Sequence, residues 1–214
     1  MVLWAVLVVI AAYLIGSINF AVIFANAFLK KDVRKLGSGN AGTTNVMRTA
    51  GFLPGALTFV CDALKGFAAS FGGKLVFELI EKNASAEWAV PIYGAYLCGL
   101  ACMLGHVFPV FFQFKGGKGV ATSVGVYAVC SPIAIVIGLC VFAAVVLLSK
   151  TVSLGSVLAA LTVVILSIVL HGGGPELIPA LLSIAMGLLV IIKHKDNIKR
   201  LISGTESKIT ERRQ

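Results

Sequence analysis

Charge is scarce in this chain. Of its 214 residues only 13% are Asp, Glu, Lys or Arg, while 58% are hydrophobic. A soluble domain carries about 25% charged residues, so there are too few here to cover a globular surface. The apolar residues also fall in long blocks, which makes lipid their natural solvent. A helix needs roughly 20 such residues to cross the hydrocarbon. Acids are scarcer still, with 9 Asp and Glu against 18 Lys and Arg, a net charge of +9. In a soluble protein that excess would raise nucleic acid as a partner. In a membrane protein it marks cytoplasmic loops, which are rich in Lys and Arg, and no nucleic-acid partner is expected.

Reactive clusters are missing as well. The five cysteines, Cys61, Cys98, Cys102, Cys130 and Cys140, all sit in apolar segments without the company a zinc site needs. They read as small packing residues, and neither disulfides, nor a metal, nor a cofactor is expected. No Ser-His-Asp or Cys-His set is apparent. No internal repeat is visible, and the halves do not mirror each other in span length, which speaks against an inverted-repeat transporter. Ala25-Asn26-Ala27 has the look of a signal-peptide cleavage site. However, no basic segment precedes the apolar run, and that run is too long for a signal. It reads as the first spanning helix.

The apolar blocks are 3–28, 53–72, 89–110, 120–148, 153–170 and 176–192. Block 120–148 is nearly thirty residues long, with Ser131-Pro132 near its middle. Segments 30–52, 111–119 and the tail after 192 hold most of the Lys and Arg, so all three should be cytoplasmic. The connections at 73–88 and 171–176 suit the outside. The chain must then cross an even number of times between 119 and 193, so block 120–148 must cross twice, turning near Pro132. The expectation is an all-α bundle of about seven spans, N-terminus outside and C-terminus cytoplasmic, forming a single domain over 1–214. Half of a thirty-residue block makes only about 22 Å of helix, which requires a thinned bilayer or burial within the bundle.

Three polar motifs interrupt the apolar blocks. The first is Gly37-Ser38-Gly39-Asn40-Ala41-Gly42-Thr43-Thr44-Asn45, followed by Arg48. Its glycines free the backbone for positive φ and close approach. The hydroxyls and amides, with the planar cation of Arg48, suit a phosphate. It is not a Walker loop, because Thr43 stands where that loop needs lysine. The second runs from Gly105-His106 through Pro109 to Lys115-Gly116-Gly117-Lys118-Gly119. Lysines fenced by glycines at the start of a helix make a second anion site. The third is His194-Lys195-Asp196-Asn197, with Gly204 and Glu206 beyond it. His194 and Asn197 are three apart and share a helix face. Inside the spans, Asp62 and Lys65 at i, i+3 read as an internal pair. Ser153 and Ser156 open the span after Lys150 and either line the same pocket or help helices pack.

The GSGNAGTTN loop, the GHVFPVFFQFKGGKGVAT stretch and the HKDNIKRLISGTE tail together resemble the bacterial acyl-phosphate:glycerol-3-phosphate acyltransferase family (PlsY). The motifs occur in that family's order and the resemblance covers essentially the whole chain. The first loop departs mildly, with Ala41 where the family often has proline and Thr43 where it often has alanine. The resemblance implies seven spans in a bacterial inner membrane with the active site at the cytoplasmic face. It implies transfer of an acyl group from acyl phosphate to the 1-hydroxyl of glycerol 3-phosphate, giving lysophosphatidic acid, with no direct use of acyl-CoA or acyl carrier protein. By motif match it assigns substrate binding to Ser38, Asn40, Thr44, Asn45, Arg48, Lys118, His194 and Asn197, joined by Lys115 and Ser153. The flanking glycines Gly37, Gly39, Gly116, Gly117 and Gly119 complete the two loops. Among these, Ser38, Lys118, His194 and Asn197 are the candidates for catalysis. His106 lacks the aspartate five positions later that many glycerolipid acyltransferases use, since Phe111 stands there, and reads as a structural hydrogen-bonder.

An acyl phosphate is already activated, so no covalent acyl-enzyme is needed. The expected reaction is direct attack of the acceptor hydroxyl on the acyl carbonyl. A substrate phosphate oxygen or His194 would take the proton, Lys118 and Arg48 would face the leaving phosphate, and the apolar bundle would hold the chain. The partners are then acyl phosphate, glycerol 3-phosphate and membrane lipid. A transporter for a small phosphorylated anion is the alternative, although all three motifs map to one face while transporter sites lie near the midplane.

Overall fold

The computed structural model describes residues 1–84, 86–171 and 177–209, and divides the chain into two compact units, Met1–Cys130 and Ser131–Gln214. Every regular element among the described residues is helical. The N-terminal unit holds α1 (Val2–Gly16), α2 (Phe20–Leu29), α3 (Thr43–Ala50), α4 (Phe52–Ala84), α5 (Pro91–Val107) and α6 (Val120–Cys130), with short 3-10 turns at Val33–Lys35 and Val110–Phe112. The C-terminal unit holds α7 (Pro132–Ser149), α8 (Val152–His171), α9 (Leu177–Lys193) and α10 (Lys195–Ile202).

Among the described residues, five helical stretches are long and apolar enough to cross a membrane: Val2–Leu29, Phe52–Ala84, Pro91–Phe112, Pro132–Ser149 and Val152–Leu170. A sixth is the pair α9 and α10, bent by 56°. The long fourth block breaks between Cys130 and Pro132, where proline at the first helical position ends one helix and starts another. This leaves α6 only 11 residues long, about 16 Å. Two expectations need adjustment. The first span is interrupted at 17–19, where Asn19 caps α2 by accepting from Val22 N at 3.2 Å. The connection expected over 73–88 is mostly helix, because α4 continues to Ala84 and buries Phe77 and Ile80 against Ala5 and Ala89. The connection expected over 171–176 lies, from 172 on, outside the described residues.

Within the N-terminal unit α4 is the central element, packed against α1, α3, α5 and α6. The approach is close because small residues line it. A Cβ on Gly66 of α4 would overlap Thr122 O, and one on Gly125 of α6 would overlap Ala63 O. Lipid supplies no hydrophobic drive between helices, so van der Waals fit of this kind is what holds a membrane bundle. In the C-terminal unit α7 pairs with α8 and α8 with α9. Overpacking a close contact costs about 1–3 kcal/mol. Gly125→Leu is therefore expected to lower the melting temperature of the purified protein by roughly 2–12 °C, measured by thermal unfolding in lipid nanodiscs. An unchanged midpoint would show that α4 and α6 are not held at backbone contact.

Candidate active site

The first polar loop is built around one amide. Asn45 is buried, with 2% of its surface exposed. Its Nδ2 donates to Val33 O at 3.1 Å, Leu36 O at 3.0 Å and Asn40 O at 3.0 Å, while its Oδ1 accepts from Ser38 N at 3.0 Å. These bonds close on the loop's own backbone, so Asn45 shapes the loop. Gly37 and Gly39 take positive φ, 56° and 71°, which glycine adopts without penalty. Gly42 does not, since its φ of −156° is extended. Gly37, Ser38 and Gly39 are exposed, and Asn40 and Thr44 are half-buried. Thr43 and Thr44 open α3, where backbone N–H groups have no intrahelical acceptor. Arg48 lies one turn beyond Thr44 on the same helix.

The second loop packs directly on the first. Gly117 N donates to His106 O at 3.1 Å. A Cβ on Gly117 would overlap both Ala41 O and the His106 ring, and one on Gly116 would overlap His106 O. These two glycines serve close packing, whereas Gly119, at φ 85°, serves the turn into α6. Lys115 is exposed and Lys118 half-buried on either side of the glycine pair. Both motifs are therefore brought together in the N-terminal unit.

Beneath them lies a buried polar cluster. The Lys65 ammonium donates to Ile18 O at 2.7 Å and sits 3.1 Å from His106 Nδ1. It also lies 2.7 Å from Asp62 Oδ1, forming an ion pair. An ammonium can only donate, so in this contact His106 Nδ1 accepts, and Asp62 Oδ1 lies 3.5 Å from the same nitrogen. His106 is thus a structural hydrogen-bonder, as its sequence context suggests. The partner comes from another helix. Ile18 O can accept because the break between α1 and α2 releases it.

The third motif lies in the C-terminal unit, where Glu206 gathers it. Glu206 Oε1 accepts from Asn197 Nδ2 at 2.6 Å and from Ser153 Oγ at 2.8 Å, and Oε2 accepts from Arg200 Nε at 2.6 Å. Burial opposes the Glu206 charge. The bonds from Asn197, Ser153 and Arg200 outweigh it and hold the carboxyl below its usual 4.5. His194 is buried at the bend between α9 and α10, and its Nδ1 donates to Val190 O at 2.8 Å. The carbonyl can only accept, so Nδ1 carries a proton and a neutral ring keeps Nε2 as its basic nitrogen. Among the described residues no three His, Cys, Asp or Glu side chains converge to hold a metal. Sequence reasoning named Glu206 as part of the motif but missed its role. The available signal was a lone acid after a basic helix.

A carboxylate held below its usual pKa adds stability above pH 4.5, and that stability is lost as pH falls through the lower folded value. Glu206→Gln turns one acceptor into a donor facing donors. This costs about 1–3 kcal/mol and is expected to lower the melting temperature at pH 7 while making the acid limb of the stability profile shallower. Identical profiles for variant and wild type would contradict the clustering.

The chain matches the model of the glycerol-3-phosphate acyltransferase family over residues 6–204. It is 41% identical to the glycerol-3-phosphate acyltransferase of Thermoanaerobacter sp. (strain X514), over 98% of each chain. It is 40% identical to glycerol-3-phosphate acyltransferase 2 of Bacillus anthracis, over 95% of this chain and 98% of that one. Among solved structures it resembles PlsY (YgiH), an integral membrane glycerol 3-phosphate acyltransferase, with 36% identity over 95% of this chain and 94% of that chain. The TM-score is 0.80 against its glycerol 3-phosphate form and 0.76 against its lysophosphatidic acid form. Matched by this model across both of its units, and by full-length relatives, the chain belongs to the glycerol-3-phosphate acyltransferase family.

Proposed function

We propose that this membrane glycerol-3-phosphate acyltransferase draws its acyl group from an acyl phosphate and delivers it to the 1-hydroxyl of glycerol 3-phosphate, releasing lysophosphatidic acid and inorganic phosphate. The observation that carries the reading is the contact of two glycine-rich loops, Gly117 against Ala41, with Arg48 on the helix that the first loop opens and Lys118 within the second loop. Two anionic substrates repel each other, and paired loops of backbone N–H groups and cations offset that repulsion. A covalent route needs a nucleophile. Cys61, Cys98, Cys102, Cys130 and Cys140 all lie in apolar helices. The family assignment sets the transporter reading aside.

In this reading the acceptor hydroxyl oxygen bonds to the acyl carbon and the carbon–oxygen bond to phosphate breaks. The hydroxyl proton passes to a phosphate oxygen of a substrate, or to Nε2 of His194. Ser38, Asn40 and Thr44 with the loop N–H groups hold phosphate oxygens, and Asn45 keeps that loop in shape. Arg48 and Lys118 face the leaving phosphate, assisted by Lys115. The substrate-binding roles proposed for His194, Asn197 and Ser153 belong to the C-terminal unit, where Glu206 accepts from the last two. No metal or cofactor enters these steps, and the whole chain acts as one acyltransferase domain. Counting α6 as a crossing gives seven spans. Both glycine loops and the basic tail then lie on the cytoplasmic face of a bacterial inner membrane, with the N-terminus outside.

The test is an assay in lipid with glycerol 3-phosphate and either palmitoyl phosphate or palmitoyl-CoA, following lysophosphatidic acid and released phosphate. Product from the acyl phosphate alone is expected, and product from the thioester alone would overturn the donor assignment. His194→Ala separates the two bases. A kcat lowered by about 10²–10⁴ fits a general base, whereas a near-normal kcat leaves the substrate phosphate.

A further inference from the structure

We propose that Asp32 and Arg34 form a clamp that fixes the two anion-binding loops of the N-terminal unit in register, making both of them positioning residues for the transfer. The inference rests on the acyltransferase reading of those loops. Neither residue belongs to the three motifs, yet Arg34 joins two of them. Its Nη1 donates to Phe112 O at 2.8 Å, across 78 positions of sequence. The rest of the guanidinium is held by Asp32. Nε donates to both carboxylate oxygens at 3.0 Å, and Nη2 to Oδ2 at 2.7 Å. Asp32 is fixed in turn by accepting from Arg34 N at 2.9 Å. A planar fork seated on a fixed carboxylate has one direction left for its remaining donor, and that direction is Phe112 O.

Both ends of the clamp are tied to the loops. On one side, Val33 O and Leu36 O, flanking Arg34, accept from the same Asn45 amide that shapes the first loop. On the other, Phe112 O also accepts from Lys115 N at 3.2 Å. Between these two residues the chain takes an unfavourable path. Gln113 and Phe114 have φ of 58° and 56°, where the Cβ crowds the following carbonyl oxygen. Two such residues in succession persist only when their surroundings impose them. Arg34 grips the carbonyl immediately before them, and Gly117 N on His106 O holds the backbone after them. Releasing the grip frees Lys115 and Lys118 to move relative to Ser38 and Arg48. A misplacement of about 1 Å costs up to 10²-fold in rate. The side chains of Arg34 and Asp32 are 22% and 27% exposed, so replacing them leaves no core cavity.

The experiment compares wild type, Arg34→Ala, Arg34→Lys, Asp32→Asn and the double variant Asp32→Asn/Arg34→Ala as full chains in lipid nanodiscs. It reads kcat and KM for each substrate, melting temperature, and tryptic cleavage after Lys115 by mass spectrometry. Arg34→Ala is expected to lose roughly 10²-fold in kcat/KM, mostly in kcat. Millimolar methylguanidinium is expected to restore part of that loss, and Arg34→Lys, with charge but no fork, to recover no more than about tenfold of it. Asp32→Asn lowers kcat alone and adds nothing in the Arg34→Ala background. Cleavage after Lys115 accelerates in each variant, whichever donor the enzyme uses. Wild-type kcat and unchanged cleavage in Arg34→Ala would overturn the clamp. So would Asp32→Asn and Arg34→Ala losses that multiply, the mark of an arginine contacting phosphate by itself. Should Arg34→Ala not fold, Arg34→Lys and Asp32→Asn carry the same expectations. A silent wild type with acyl phosphate rejects the donor assignment instead, and the cleavage readout still decides the clamp.

Discussion

The ammonium of Lys65, buried among apolar helices, is the constraint on which the N-terminal unit depends. Moving such an ion out of water costs several kcal/mol even after relaxation, so its partners must be in place wherever the unit folds. Three elements supply them. Ile18 O comes from the break between α1 and α2, Asp62 from the preceding turn of α4, and His106 from the end of α5. The break in the first span and the close approach of α1, α4 and α5 are parts of one solution to that burial. Its consequences reach the surface, because the same His106 receives Gly117 N on its backbone carbonyl and lies under Gly117 through its ring.

That connection explains why the glycine loops are precise although they carry few side-chain anchors. The second loop rests on His106 below and on Ala41 beside it. The first is drawn around the Asn45 amide. Each leaves its exposed side chains and opening N–H groups directed by backbone that cannot drift far. For a reaction between an activated anionic donor and an anionic acceptor, fixed donors of this kind supply what catalysis needs. In the proposed reaction they cost no reorganisation when charge moves to the leaving phosphate.

Much of this was legible in the chain itself, because its signals are local. The apolar blocks give the helices, Ser131-Pro132 gives the break in the fourth block, and the spacing of glycine, asparagine and lysine marks the loops. Other features depend on partners distant in sequence. Within 3–28 the apolar run masks the interruption at Ser17–Asn19 although Asn19 is a helix-capping residue, and the Ile18 carbonyl exposed there is taken by Lys65, forty-seven positions later. The extension of α4 past Gly73 follows from burial of Phe77 and Ile80 on Ala5 and Ala89, which no local pattern reveals. Asn45 reads as a ligand by composition, and only the fold shows its amide turned onto the loop. Glycine spacing alone could not separate Gly37 and Gly39, which need positive φ, from Gly116 and Gly117, which need the absence of a Cβ.

The central claim is that the enzyme transfers the acyl group directly, by holding two anions in place, and forms no acyl-enzyme. Isotope exchange tests it most directly. Enzyme in lipid is incubated with acyl phosphate and labelled inorganic phosphate, without glycerol 3-phosphate, and the acyl phosphate is recovered. Direct transfer predicts no label in the recovered donor. Label entering the acyl phosphate without acceptor would reveal a covalent intermediate and contradict the account.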